Sequence, residues 1–198
     1  MSATFLRSLT STDDLPETDA PQVAMLGRAN VGKSSFINHL TGQKGLANVS
    51  ASPGRTRTIN LYDIDRRYLL VDLPGYGYSK AAKEDREGFR AMIEGYLSSA
   101  KRLALVLLVI DARHGPTDLD RDMISFLLDS ETPFVMIANK MDKLPRSKTL
   151  SILRGYANEF PHVTLIPCST VADKSTNDIR AEIDKALRDA ATKKGLSR

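Results

Sequence analysis

Hydrophobic positions change their period repeatedly along this chain. Residues 23–27 form a short apolar run that ends in a glycine turn, and residues 33–40 then place Phe36, Ile37 and Leu40 on one helical face. Residues 59–64 and 68–72 are strand-like and flank Asp65-Arg66-Arg67, which predicts a hairpin. Helical spacing returns over 83–100 through Phe89, Met92, Ile93, Tyr96 and Leu97. Residues 103–110 are apolar without interruption, as in a strand covered on both faces. A helix over 119–128, a buried strand over 134–138 entered at Pro133, a helix over 148–160 and a strand over 163–167 follow. The last predicted helix, 177–191, carries Ile179, Ile183, Ala186, Leu187 and Ala190 as its apolar stripe. Residues 42–57 are rich in Gly, Ser, Pro and Arg and predict a loop.

Strands that alternate with helices imply βαβ units. The expected fold is therefore α/β, with a mostly parallel six-stranded sheet, one antiparallel edge strand and helices on both faces. Residues 1–21 read as an irregular N-terminal segment, and 22–198 as a single domain with one substantial core. In such sheets ligands bind beyond the carboxyl ends of the strands.

The chemistry gathers at those ends. Residues 27–34, Gly27-Arg28-Ala29-Asn30-Val31-Gly32-Lys33-Ser34, match G-x-x-x-x-G-K-[ST] at every fixed position, with Ser35 following, which makes the expected α/β fold one of the P-loop NTPase kind. Glycine lets such a loop wrap closely, so that successive N–H groups face phosphate oxygens, and the helix that follows adds its positive end. Lys33 is expected to neutralise the β- and γ-phosphates, and the Ser34 hydroxyl to ligate Mg²⁺. Asp72-Leu73-Pro74-Gly75 has the D-x-x-G form. Asp72 is expected to hold Mg²⁺ through a water, and the Gly75 amide to sense the γ-phosphate. The loop segment Gly54-Arg55-Thr56-Arg57-Thr58 supplies the threonine that closes over the metal, with Thr56 the first choice and Thr58 the fallback. Lys33, Thr56 and Gly75 are the candidate catalytic residues.

A phosphate loop alone does not select the base. Asn139-Lys140-Met141-Asp142 does, because the Asp142 carboxylate can accept from both guanine N1–H and the exocyclic amine, whereas adenine offers an acceptor at N1. Sites built on such hydrogen bonds discriminate by about 10⁴ or more. Asn139 supports the base edge and the phosphate loop, and the Lys140 stem covers the ring. Cys168-Ser169-Thr170 can offer backbone N–H groups to guanine O6, with Cys168 a small buried residue rather than a reactive thiol. His39, His114 and His162 lack metal-ligand spacing.

Composition adds little to this picture. The net charge of +4 and a pI near 9.2 are compatible with an RNA partner and equally with a solvated surface. The longest apolar run is eight residues against the roughly 20 of a membrane span. A single cysteine excludes an intrachain disulfide, and residues 1–19 lack the apolar stretch of a targeting signal. A soluble, cytoplasmic protein without membrane insertion is expected.

With these elements in order, the chain resembles the translation-factor-related GTPases of the Era and TrmE type, and within them the EngB family. The resemblance rests on residues 27–35, 52–60 and the Pro74-Gly75-Tyr76-Gly77-Tyr78 segment, with Asp111-Ala112-Arg113-His114 and Asp118-Leu119-Asp120 as further similarities. It implies a GTP-hydrolysing switch that assists assembly of the large ribosomal subunit and is needed for cell division and septation, with no recognition of DNA sequence. Where the family commonly has a Lys-Gly pair, Lys174 here precedes Ser175. Some Ras-like GTPases place a water-orienting glutamine just after D-x-x-G, a position held here by Tyr76, so slow intrinsic turnover is expected. In related GTPases an asparagine placed like Asn30 ligates K⁺, which makes K⁺ a second candidate cofactor; the plainer reading is that Asn30 shapes the loop. Arg55, Arg57, Arg66, Arg67, Lys80, Lys83, Arg86, Lys193, Lys194 and Arg198 are candidates for a phosphate-facing surface. A septum-associated GTPase and a nucleotide-dependent scaffold without turnover stand as alternatives.

Overall fold

Sequential strands and helices assemble as the alternating pattern requires. The computed structural model describes residues 1–48, 58–77, 83–171 and 176–196. Among them seven strands form one sheet: β1 (Ala3–Leu9), β2 (Gln22–Gly27), β3 (Ile59–Ile64), β4 (Tyr68–Asp72), β5 (Leu103–Asp111), β6 (Phe134–Asn139) and β7 (Leu165–Pro167), in the spatial order β1-β3-β4-β2-β5-β6-β7. Among the described residues five α-helices flank the sheet: α1 (Lys33–Thr41), α2 (Lys83–Ser99), α3 (Asp118–Asp129), α4 (Arg146–Glu159) and α5 (Thr176–Leu196).

The six expected strands are all present, and β1 is a seventh. It corrects the reading of residues 1–21 as irregular throughout. Only Ala3 and Leu9 of β1 are buried, at its two ends, so its side chains carry no alternation to read. Backbone pairing with β3, from Ala3 opposite Ile64 to Leu9 opposite Ile59, holds it in place. β1 and β3 together make the antiparallel edge of the sheet, while β4, β2, β5, β6 and β7 pair in parallel.

Two apolar layers sandwich the sheet. Val23, Met25, Leu105 and Leu107 face the layer of Phe36, Ile37 and Leu40 from α1 and Ile179 and Ile183 from α5. Their strand neighbours Ala24, Leu26, Val106 and Leu108 face Ile93 and Tyr96 of α2 and Ile124 and Leu127 of α3 on the other side. Each large aliphatic side chain so buried contributes about 2 kcal/mol. The uninterrupted apolar run of β5 follows from its central place, with residues 104–111 all buried. Because the five parallel strands point the same way, Gly27, Asp72, Asp111, Asn139 and Pro167 end together at one rim. Arg66 and Arg67 lie in the β3–β4 turn at the opposite rim, and Arg67 is paired there with Asp184 at 2.7 Å. Arg66 and Arg67 thus lie at the rim away from the nucleotide motifs, and Arg55, Arg57, Lys80 and Arg198 lie outside the described residues.

Candidate nucleotide-binding site

The phosphate loop leaves β2 at Gly27 and enters α1 at Lys33. Gly32, with φ of +98°, sits in a conformation that side chains resist, and a Cβ there would lie 2.8 Å from Asn139 Nδ2. Asn30 also has positive φ (67°). Lys33 Nζ lies 3.4 Å from the Gly27 carbonyl, which it approaches as donor. Burial lowers its pKa, and the charge of Asp72 opposes that shift. A cation held in a poorly hydrated place next to free helix N–H groups is a strong attractor for phosphate.

Asp72, at the end of β4, is buried, and its Oδ1 has no hydrogen-bond partner among the described residues. Burial raises its pKa, against the Lys33 charge and a hydrogen bond from Asn60. A carboxylate oxygen buried without a partner is costly unless a cation's water satisfies it. With the Ser34 hydroxyl at the start of α1, this oxygen fits a hydrated Mg²⁺. Gly75 passes so close to the phosphate loop that a Cβ would meet both Ala29 N and Lys33 Nζ at 3.1 Å.

Tyr76 departs from the role its position suggests. Its carbonyl accepts the Ala29 N–H at 2.9 Å, and its hydroxyl donates to Asp120 Oδ1 of α3 at 2.7 Å. The ring is buried against the α3 side of the core rather than presented to the phosphates. Of the loop candidates, Thr58 donates to Asn60 Oδ1 at 3.3 Å, and Gly54, Arg55, Thr56 and Arg57 lie outside the described residues.

The base-reading segment is built onto the phosphate loop. Asn139 Nδ2 donates to the Val31 carbonyl at 2.9 Å, which is the loop-supporting half of its expected role. Lys140, with φ of 66°, donates to the Asn30 carbonyl at 2.6 Å and to Asp111 Oδ2 at 2.9 Å. Asp142 Oδ1 accepts from Ser169 Oγ at 2.9 Å, and Lys143 Nζ stands 3.6 Å from its Oδ2. The backbone of the last motif is locked to β6 by Cys168 N–H to Ala138 O (2.8 Å) and Met141 N–H to Cys168 O (3.1 Å). Cys168 itself is buried. Segments more than 100 residues apart in sequence thus meet within hydrogen-bond distance.

Two contributors lay beyond the reading of the motifs. Asp111, at the end of β5, binds Arg113 through Nε (2.9 Å) and Nη2 (2.6 Å) while it anchors Lys140. Burial works to raise its pKa, but these hydrogen bonds win and hold it well below the usual carboxylate range. The Asp111-Ala112-Arg113-His114 signature was visible, but only the fold shows what its carboxylate holds. The second is Asp120, whose Oδ2 accepts from both the N–H (2.9 Å) and hydroxyl (2.7 Å) of Thr117. Among the described residues no three His, Cys, Asp or Glu side chains form a metal-binding group, and no helix is long and apolar enough to cross a membrane.

Residues 22–140 match the family model described as a 50S ribosome-binding GTPase. A probable GTP-binding protein EngB of Listeria welshimeri is 47% identical over 136 residues, covering 69% of this chain and 70% of that protein. One from Anaeromyxobacter sp. is 39% identical over 200 residues, covering 96% of this chain and 93% of that protein. The crystal structure of a probable GTP-binding protein EngB superposes with a TM-score of 0.71 at 24% identity, covering 85% of this chain and 99% of that one. Era, solved with MgGDPNP and nucleotides 1506–1542 of 16S ribosomal RNA, gives 0.64 at 23% identity over 85% of this chain and 56% of its own. These two structural likenesses concern the fold.

Proposed function

Since the chain belongs to the EngB family of GTPases, we propose that it is a slow, GTP-driven switch that assists assembly of the large ribosomal subunit in the cytoplasm, and through it cell division and septation. The observation that carries the nucleotide half of this reading is the direct union of the phosphate loop with the base-reading segment, through Asn139 to Val31 O and Lys140 to Asn30 O. Such a union fixes the distance between phosphate and base subsites before ligand arrives, which lowers the ordering cost of binding. The ribosomal half is supported by the matched family's description and by the basic excess of the chain.

In this reading the loop N–H groups and Lys33 hold the β- and γ-phosphates, and Asp142 with Ser169 reads the guanine edge. Ser34, Thr56 and, through water, Asp72 would hold Mg²⁺, which when bound would neutralise charge on the phosphates. Water attacks the γ-phosphorus, the bond to the bridging β-oxygen breaks, and GDP and phosphate leave. The Gly75 N–H would meet the γ-phosphate and Thr56 would close over the metal, so both would report whether GTP is present. Tyr76 has no amide to orient the water, and its hydroxyl is committed to Asp120. Intrinsic turnover of about 10⁻⁴ to 10⁻² s⁻¹ follows. K⁺ at Asn30 is the candidate accelerator; equal hydrolysis in Na⁺ and K⁺, with and without ribosomal subunits, removes it.

Sedimentation with ribosomal subunits in GTP, GDP or a non-hydrolysable analogue tests the proposal. Co-migration with the large subunit in the analogue, weakened by GDP and by salt, is expected. Indifference to nucleotide refutes the switch.

A further inference from the structure

The residue after the D-x-x-G glycine is held from two sides. Its carbonyl takes the Ala29 N–H of the phosphate loop at 2.9 Å, and its phenol reaches Asp120 in the first turn of α3 at 2.7 Å. Tyr76 is only 7% exposed and Asp120 1%, so this hydrogen bond is sheltered from water. Asp120 is fixed in turn by the N–H and hydroxyl of Thr117, which close the start of the helix. The next residue, Gly77, has φ of +69° and packs so tightly that a Cβ would meet Leu119 Cδ1 at 2.6 Å. One residue earlier, Gly75 lies against Lys33 Nζ. A γ-phosphate held by Lys33 therefore lies against a segment whose other end is fastened to α3.

We propose that Tyr76 and Asp120 form a clasp that positions Gly75 for the γ-phosphate and makes the first turn of α3 a nucleotide-responsive element. Tyr76 is then a positioning residue acting through Gly75, not a substitute for a water-orienting glutamine. The clasp spares Gly75 part of the ordering it otherwise undergoes when GTP arrives. GDP has no γ-phosphate and draws nothing from it. Because coupling is reciprocal, GTP strengthens the clasp by the same factor by which the clasp strengthens GTP binding. The inference rests on Lys33 as the phosphate-binding lysine.

Titration of fluorescent GDP and of a fluorescent non-hydrolysable GTP analogue, in Mg²⁺, against wild type, Tyr76→Phe, Asp120→Asn and the double variant tests it. Loss of one buried, charge-assisted hydrogen bond is expected to weaken the GTP analogue about five- to tenfold, with GDP affinity held within twofold. Asp120→Asn is expected to move in the same direction but less far: with its oxygen on the Thr117 N–H, its NH₂ can donate to the Tyr76 phenol oxygen, so only the charge assistance is lost. The double variant is expected to lose no more than the worse single one. In wild type, which raises no question of folding, the Thr117 amide is expected to exchange more slowly with the analogue than with GDP. An unchanged ratio of the two affinities, an equal loss of both, or a Thr117 amide blind to the γ-phosphate overturns the clasp. A wild-type chain that binds neither nucleotide overturns the site itself, and the clasp with it.

Discussion

Substituting Gly32 with alanine isolates how tightly the two halves of the site are built together. At φ +98° and ψ 29° an alanine carries backbone strain of about 1–2 kcal/mol. Its Cβ would also stand 2.8 Å from Asn139 Nδ2, a contact that cannot persist. Asn139 is 1% exposed and its Nδ2 is committed to Val31 O, so retreat breaks a buried hydrogen bond for about 1–2 kcal/mol more. Without nucleotide the loop can open and shed this strain, but ligand requires it closed. The total of about 2–4 kcal/mol is therefore expected mainly in binding, as affinity for GDP and GTP analogue alike weaker by about 30- to 1000-fold. Gly42→Ala is the control. Its φ is +70° and nothing lies within 4 Å of the added carbon, so it pays only the backbone part, as lowered thermal stability with nucleotide affinity intact. Fluorescent-GDP titration and thermal unfolding of both variants decide the matter. Binding by Gly32→Ala within threefold of wild type would refute the claim that Asn139 braces the loop.

Other expectations follow from the buried charges. Asp111→Asn places an amide NH₂ against either Lys140 and Arg113 Nη2 or Arg113 Nε and N–H. It is expected to weaken GDP about tenfold, measured by the same titration. The folded-state pKa of Asp111 is depressed, so its contribution to stability is complete above the ordinary carboxylate value of about 4 and is lost as pH falls below it. The acid limb of a thermal-stability profile should flatten in Asp111→Asn. On the alkaline side, burial pushes Tyr68 up to about 12 and Tyr76 well above its usual value. Stability from keeping these phenols neutral is complete below about pH 10 and lost as pH rises beyond it. Ultraviolet titration of the native protein should accordingly show delayed tyrosine ionisation, and prompt ionisation at pH 10 contradicts the burial of those rings.

The parallel strands were legible because burial on both faces leaves unbroken apolar runs, as in β5, and because each run stops at a motif. β1 was not, since a peripheral strand is held by backbone hydrogen bonds that its side chains do not announce. Helix α4 begins two residues before the periodicity suggests, just after Pro145. Of the site, the spacing-based motifs were visible as candidates to meet phosphate or base. Asp111 and Asp120 stand out in the sequence only as similarities to the family. Their local partners Arg113 and Thr117 are within three residues, but only the fold brings Lys140 to Asp111 and Tyr76 to Asp120. Tyr76 was recognised as a departure, but its carboxylate partner lies 44 residues away and only the packing of α3 reveals it.

The central claim is that Asp142 reads a guanine edge, and reversing its hydrogen-bond pattern tests it most directly. In Asp142→Asn, the side-chain oxygen keeps the Ser169 hydroxyl and the amide replaces Oδ2 as a donor. A donor repels the guanine 2-amine and suits the carbonyl that xanthine carries there. Equilibrium titration should show wild type binding GDP far more tightly than XDP, and the variant preferring XDP, each by roughly 10²-fold or more. A variant that keeps the wild-type preference for GDP would contradict the account.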